Sequence, residues 1–387
     1  MVKSNSSHRG GARKIKKIYL DYAGSALFQS ANPGAIHEFG LKEKNKLESA
    51  RKIIANILGA RNGEIIFTSG ATESNNLAIL GLVKNFKKPH IITTNIEHSS
   101  VLEVFRYLEK TRQVEVTYIE VEPAGIVDPR KIKKMLKQNT VLVSVQYANN
   151  EIGTVQPLQE IAKEIRYFNK INKQKIFFHT DAVQAVNYLP VKVEKLGVDL
   201  MSLNGAKIYG PKGIGILYIK KNTPISQIMF GGEQEFGLRP GTENVALAVE
   251  LAKALENVEK VKEKEIKRLV KLRNYFISKL LQMPFKIILN GDSKLRLPNN
   301  VNITVPKIPS DLLVIELSSK GILISAKSAC KSSRGEGSYV IQAIRPETDT
   351  EIGGLRFSLG RDTTKQDIDY TIKALSKILQ KLKKWYN

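Results

Sequence analysis

Residues 202–215 read Ser-Leu-Asn-Gly-Ala-Lys-Ile-Tyr-Gly-Pro-Lys-Gly-Ile-Gly, "SLNGAKIYGPKGIG". The run from Gly210 to Gly215 imitates the glycine spacing of a dinucleotide-binding loop. Such a loop follows a strand and opens a helix, whose free N–H groups then meet the pyrophosphate. Here the glycines lead instead into "GIGILYI" (213–219), an apolar β-rich stretch that predicts another strand. The dinucleotide reading fails on that context. What remains is one lysine, Lys207, placed just beyond the apolar run "DLMSL" (199–203).

The same layout recurs upstream. Short β-rich runs stand at "EIIF" (64–67), "HIITT" (90–94), "VEVTYI" (114–119), "VLVSVQ" (141–146) and "KIFFH" (175–179). Helical spacing fills most gaps, at 72–84, 99–111, 128–138 and 157–170. Before them, "LKEKNKLESARKIIANILGA" (41–60) sets Leu47, Ala50, Ile54, Ile57 and Leu58 on one helix face, with Gly59 as its stop. Alternating strands and helices predict an α/β fold with a mostly parallel seven-stranded sheet covered on both faces. After Gly241 the pattern changes. A long charged amphipathic helix runs from about Val245 to Leu281 and ends before Pro284. Beyond it "FKIILNG", "NNVNITV" and "LRFSL" read as strands mixed with helices at 310–320 and 366–386. The expected organisation is an arm and short segment over 1–24 packing on the smaller domain, a large domain over 25–284, and an α+β domain over 285–387.

Composition narrows the class. A chain of 387 residues with 42% hydrophobic content supports a sizeable core. One cysteine rules out a disulfide framework within the chain, and with five scattered histidines it leaves no zinc pattern. No apolar run approaches the ~20 residues of a membrane span. The basic start "MVKSNSSHRGGARKIKK" lacks the apolar core of a signal peptide, so a cytoplasmic protein is expected. The net charge of +24 leaves RNA or another acidic partner open by counterion release. Lysines are spread along helix faces rather than gathered in one stripe, and no aromatic-interleaved motif accompanies them, so nucleic acid is not favoured.

Parallel sheets bind ligands beyond the carboxyl ends of their strands. After "EIIF" comes "TSGATESNN" (68–76), a glycine turn leading into a helix and thus an anion site or an ordinary cap. "EHSSV" follows the next strand and holds His98; "QYANNEIG" presents Asn149, Asn150 and Glu151; "FFHTDAVQA" presents Asp181 and Gln184. Each motif alone is weak. Together they put an amine, a carboxylate, an imidazole and an anion pocket at one sheet edge. Those are the parts pyridoxal 5′-phosphate needs: a lysine for a Schiff base, an acid for the pyridine nitrogen, and a helix N-terminus for the phosphate. The single cysteine, Cys330, sits in "SAKSACKSSRGEGS" (325–338) with Lys327, Lys331 and Arg334 close by, a setting that favours thiolate.

At this point the chain resembles the cysteine desulfurases, class V relatives of the fold-type-I pyridoxal-phosphate enzymes. The likeness runs from "YLDYA" (19–23) through "SGATESNN", "EHSSVL", "NNEIG", "TDAVQ", "GAKIYGPKG", "RPGTEN" and "SAC" to "RFSLGR" (356–361), in the family's order. The resemblance implies that Lys207 carries the cofactor and moves the α-proton, and that Asp181 pairs with the pyridinium. It implies that Gln184 and Asn150 bond the ring oxygen, while His98 stacks on the ring and serves in proton transfer. Ala71 and Thr72 would hold the phosphate, and Thr242 would reach the phosphate of a neighbouring subunit, which implies a homodimer. Arg356, with Asn150, would bind the substrate, L-cysteine, through its carboxylate. Cys330 would take the sulfur as a persulfide and leave alanine. The length after Cys330 fits the long-loop branch, which passes sulfur to scaffold or relay proteins for iron–sulfur clusters, tRNA thiolation or both.

The chain departs from the family at three places. Asn204 and Ala206 replace the usual Ser and His beside the phosphate, which implies either weaker cofactor affinity or Asn204 as a partial substitute ligand. Lys327 replaces a glycine beside the nucleophile, and the 25–31 segment is short, which bears on partner docking. Alternative readings are a class V aminotransferase or selenocysteine lyase, in which Cys330 is dispensable, or a degenerate scaffold in a sulfur-relay complex.

Overall fold

The computed structural model describes residues 20, 21, 23, 25, 31–326, 337–348 and 352–384. Cys330 and Lys327 lie outside the described residues, as do most of the 1–24 arm and residues 26–30 of the shortened segment.

Seven strands form one sheet: β1 (Ile65–Thr68), β2 (His90–Thr94), β3 (Glu115–Ile119), β4 (Thr140–Ser144), β5 (Phe177–Asp181), β6 (Leu200–Asn204) and β7 (Gly215–Ile219). Their order is β1-β7-β6-β5-β4-β2-β3. Strands β2 to β6 pair in parallel, and β7 runs against both β6 and β1. The reversal has a simple cause. Asn204 pairs with Gly215, and the short link between them cannot hold a crossover helix, which needs a dozen or more residues. Lys207 therefore rides on a turn closed between two neighbouring strands.

Successive side chains along each strand enter opposite cores, as the pleat requires. Ile65, Phe67, Ile92, Val143, Phe178, Met201 and Ile216 face one side, while Ile66, Ile91, Leu142, Phe177, Leu200 and Leu217 face the other. The first side is covered by α1 (Glu38–Leu58), the second by α2 (Ala71–Val83) and α3 (Ser99–Lys110). Helices α4 (Pro129–Met135), α5 (Leu158–Asn172), α6 (Val193–Leu196) and α7 (Val245–Leu281) complete the first layer. Burial on both faces explains why the strand runs read as almost continuously apolar.

A second, antiparallel sheet of order β10-β9-β8 is built from β8 (Ile288–Leu289), β9 (Asn300–Thr304) and β10 (Leu355–Ser358). Helices α8 (Ser310–Ser318), α9 (Tyr339–Ile344) and α10 (Lys365–Leu382) flank it. Val301, Ile303, Leu355 and Phe357 join the core beneath α1, α5 and α7, so the apolar interior is continuous between the sheets. No helix among the described residues is long and apolar enough to cross a membrane.

Candidate active site

Between the carboxyl ends of the parallel strands and the edge of the second sheet lies a cavity of about 440 Å³, a size typical of small-molecule sites. Ala71 and Thr72 at the start of α2, His98 before α3 and Asn150 after β4 line it. So do Asp181 at the end of β5, Gln184, Asn204, Lys207 and, from β10, Arg356. Nine of the sequence-predicted site residues thus converge on one space. Thr242 does not line it; it is exposed, on the loop before α7. Among the described residues there is no cluster of three His, Cys, Asp or Glu suited to a metal.

The start of α2 is an anion cup. Gly70 occupies the cap position with φ 154° and offers no side-chain cap, so the first N–H groups of the helix stay open toward the cavity. Strand β7 runs hard against this turn: a Cβ on Gly215 would stand 2.6 Å from the Gly70 Cα. That close approach, rather than nucleotide binding, is what a glycine of the opening stretch provides. Asn204 borders the same cup, and its Oδ1 accepts the Ala206 N–H at 3.2 Å. In the first turn, Glu73 accepts from Ser69 N–H at 2.7 Å and pairs with Arg239 at 2.9 Å. Burial opposes the Glu73 charge, but those donors hold its carboxyl below the usual range. Arg239 belongs to the loop that carries Thr242, so the cup and that loop are tied.

The floor is a hydrogen-bonded chain. Asp181, mostly buried, accepts from Val183 N–H at 3.0 Å on Oδ1 and from Asn75 Nδ2 at 2.9 Å on Oδ2. Asn75 also donates to Ser100 Oγ at 2.8 Å, and Ser100 Oγ lies 2.8 Å from His98 Nδ1. Beside it, Glu97 is fully buried; burial pushes its carboxyl up to about 8, against the Gln146 N–H and Thr94 hydroxyl that donate to it. His179 shows the bland alternative for a histidine. Burial lowers its imidazole to about 3, and it simply bridges Ser144 and Ser202 inside the sheet.

On the opposite wall Arg356 donates from Nη1 to the Asn150 carbonyl at 3.0 Å. Burial lowers its guanidinium, with Glu151 acting the other way. Lys207 is exposed at the cavity, and its carbonyl accepts from Asn187 Nδ2 at 2.6 Å. Sequence reasoning assigned no role to Asn75, Ser100, Asn187 or Asn299. The first two stand in quoted motifs, but nothing in a linear string says that they touch.

Three buried amide oxygens on this cavity, from Asn150, Asn187 and Asn299, have no hydrogen-bond partner. Buried polar atoms are normally satisfied, so their clustering marks a space built for a polar ligand. Pyridoxal phosphate fits the donor set: an open helix terminus for its phosphate, Asp181 for the ring nitrogen, and Lys207 for the aldehyde. A mostly parallel sheet bearing this site defines a pyridoxal-phosphate enzyme of the α/β type.

Comparison with known proteins narrows the class. Residues 12–371 match the family described as aminotransferase class-V. A cysteine desulfurase IscS of Dictyoglomus turgidum is 42% identical over 384 residues, covering 95% of this chain and 96% of the relative. That of Methanosarcina thermophila is 43% identical over 354 residues, covering 91% and 86%. Among solved structures, a NifS-like protein matches with TM-score 0.84 at 35% identity, covering 91% of this chain and 92% of its own. A structure described as SspA in complex with cysteine matches with TM-score 0.72 at 34% identity, covering 87% and 92%. The chain belongs to the class-V aminotransferase family, whose enzymes use pyridoxal 5′-phosphate.

Proposed function

We propose that this protein is a cysteine desulfurase that converts L-cysteine to L-alanine and takes the sulfur onto Cys330. The convergence of Lys207, Asp181, Arg356 and the open start of α2 on one cavity carries this reading. When bound, pyridoxal phosphate supplies an aldehyde that captures the amino acid and a ring that stabilises charge at carbon. Lys207 holds the cofactor and then moves the proton of the substrate Cα. Arg356 binds the substrate carboxylate, for which a guanidinium is the best match, and its bond to the Asn150 carbonyl fixes its direction. Asp181 would pair with the ring nitrogen and keep it protonated, and Gln184 and Asn150 would bond the ring oxygen. Ala71, Thr72 and Asn204 border the phosphate.

In the sulfur-transfer step the Cys330 thiolate attacks the substrate Sγ. An S–S bond forms and the Cβ–Sγ bond breaks. The electron pair returns to Cβ, which takes a proton and becomes the methyl group of alanine. Cysteine and a thiol give alanine and a persulfide, with no outside oxidant.

The finer assignments belong to the same proposal. The enzyme is cytoplasmic and homodimeric, with Thr242 serving the phosphate of a second copy; the exposed position of Thr242 outside its own cavity supports the dimer. The persulfide goes to a scaffold or relay protein for iron–sulfur assembly or tRNA thiolation. A division near Pro284 separates a cofactor-binding domain over 25–284 from a smaller domain over 285–387.

The purified protein should show a visible cofactor band that changes with L-cysteine, and borohydride should fix the cofactor onto Lys207. Cys330→Ser should keep the band and form no persulfide. Unimpaired alanine release by that variant, or keto-acid formation from cysteine, would point to a lyase or an aminotransferase instead.

A further inference from the structure

We infer that His98 works as a neutral imidazole with its proton fixed on Nε2, donating a hydrogen bond into the cavity, and that Ser100 and Asn75 are the positioning residues that hold it in this form. The inference rests on the desulfurase reading for its catalytic meaning, but its geometry stands on the fold alone. It replaces the proton-carrying role that family resemblance implies.

The argument starts from a group whose polarity is not in question. His98 caps α3, and the backbone N–H of Ser100 donates to its Nδ1 at 3.2 Å. A backbone N–H can only donate, so Nδ1 is an acceptor and the neutral ring carries its hydrogen on Nε2. The side chains behind it give the same answer independently. Asp181 presents a carboxylate oxygen to the Asn75 amide at 2.9 Å, which forces the Nδ2 end of that amide toward it. The second Nδ2 hydrogen points at Ser100 Oγ at 2.8 Å, leaving the Ser100 hydroxyl hydrogen free for His98 Nδ1, also at 2.8 Å. Asn75 is completely buried and keeps this orientation although its Oδ1 has no partner. The carboxylate of Asp181 thus sets the direction of every donor between it and the imidazole.

The charged groups around His98 leave this assignment intact. Asp181 reaches it only through Asn75 and Ser100. Glu97 precedes it in the chain and spends its carboxyl on Thr94 and Gln146. Glu103, on α3, pairs with Arg106 at 2.6 Å. Lys207 and Arg356 share the cavity but carry no acceptor. A proton arriving at the ring would have to enter at Nδ1, where two donors already point. Proton movement in the cavity therefore falls to Lys207, and His98 contributes a fixed N–H and a flat face.

The test is nitrogen NMR on holoenzyme with ¹⁵N-labelled imidazoles, the His98 signals being assigned with His98→Gln. Read on the neutral ring at about pH 8, Nε2 should carry the proton and Nδ1 should be bare. Ser100→Ala and Asn75→Leu should each introduce a fraction of the opposite tautomer, and Ser100→Thr, which keeps the hydroxyl, should not. In turnover, losing a true acid–base group lowers the rate roughly 10²- to 10⁴-fold. His98→Gln, which keeps an N–H but cannot titrate, should lower alanine formation only about tenfold and leave the shape of the pH profile alone. His98→Phe should fall further. A protonated Nδ1, equal losses in Gln and Phe, or a limb of the pH profile missing from His98→Gln would each overturn the inference. If the unaltered protein makes no alanine from cysteine, the proposed function fails, while the tautomer measurement still decides the geometry.

Discussion

Gly215→Ala tests whether the start of α2 holds an anion. Built on the existing backbone, the new Cβ would lie 2.6 Å from Gly70 Cα, 2.7 Å from Gly70 C and 2.7 Å from Leu203 O. Ordinary van der Waals contact begins near 3.4 Å, so the shortfall is about 0.8 Å against backbone on both sides. Leu203 sits within paired strand β6 and cannot retreat, whereas Gly70 belongs to an uncapped turn and can. The strain therefore moves the first N–H groups of α2. Hydrogen bonds hold within a window of about 0.5 Å in donor–acceptor distance. Losing one donor to a charged oxygen costs about 1.5–3 kcal/mol, or roughly ten- to hundredfold in cofactor dissociation constant. Overpacking adds about 1–3 kcal/mol of general destabilisation. Cofactor titration of the apoprotein, followed by absorbance, reads the first effect; urea unfolding reads the second. Gly63→Ala, where a Cβ would meet nothing within 4 Å, is the control. A Gly215→Ala protein that is less stable yet binds cofactor as tightly as before would show that α2 does not receive the phosphate.

Two further outcomes are expected. Glu235→Ala strands Arg51, which is 2% exposed and bonded to both Glu235 oxygens at 2.7 and 2.8 Å, so it should lose about 3–5 kcal/mol in urea unfolding. Arg51→Met combined with Glu235→Leu should recover most of that; a single-variant loss below about 1 kcal/mol would mean the pair is wet. Glu97 gives a pH dependence: burial raises its carboxyl to about 8 in the fold, so the native state binds a proton that the unfolded chain has released. Stability should fall as pH rises from near the ordinary carboxylate range of about 4.3 through about 8. Glu97→Gln should remove this component, and parallel stability–pH curves for the two proteins would refute the assignment.

Much of the fold was legible because burial on both faces writes itself into the sequence as apolar runs. Strand β2 coincides with "HIITT", and α7 begins and ends where the amphipathic pattern does. The antiparallel insertion of β7 was not read, since a run such as "GILYI" carries no direction; only the short link to β6 decides it. Strand β8 keeps just Ile288 and Leu289 of the apolar "FKIILNG", and α9 went unnoticed because its six residues fall short of two helical turns, too few to show a repeating pattern. In the site, nine of the residues that line the cavity were named from sequence. Asn75 and Ser100, proposed to orient others, were not, because their meaning lies in a contact between helices α2 and α3.

The turn after β4 explains how a cavity made from two sheets keeps one geometry. Asn149 Oδ1 accepts the N–H groups of Glu151 and Ile152 at 2.8 and 2.9 Å and shapes the turn locally. From the second sheet, Asn300 and Asn302 both donate to the Glu151 carbonyl, at 2.9 and 3.0 Å. Arg356 donates to the Asn150 carbonyl, so the guanidinium proposed for the substrate and the amide proposed for the ring oxygen form one unit. Both ends of the stretch that contains Cys330 fasten to that unit. Ser325 exchanges backbone hydrogen bonds with Arg356 at 2.7 and 3.3 Å, and Ser338 donates to the buried Glu151 carboxylate at 2.5 Å. A carboxylate with 2% exposure is stable only with such donors, so this anchor resists exchange with water. Ser325 and Ser338, the described residues on either side of that stretch, are thus held by the groups proposed to hold substrate and cofactor.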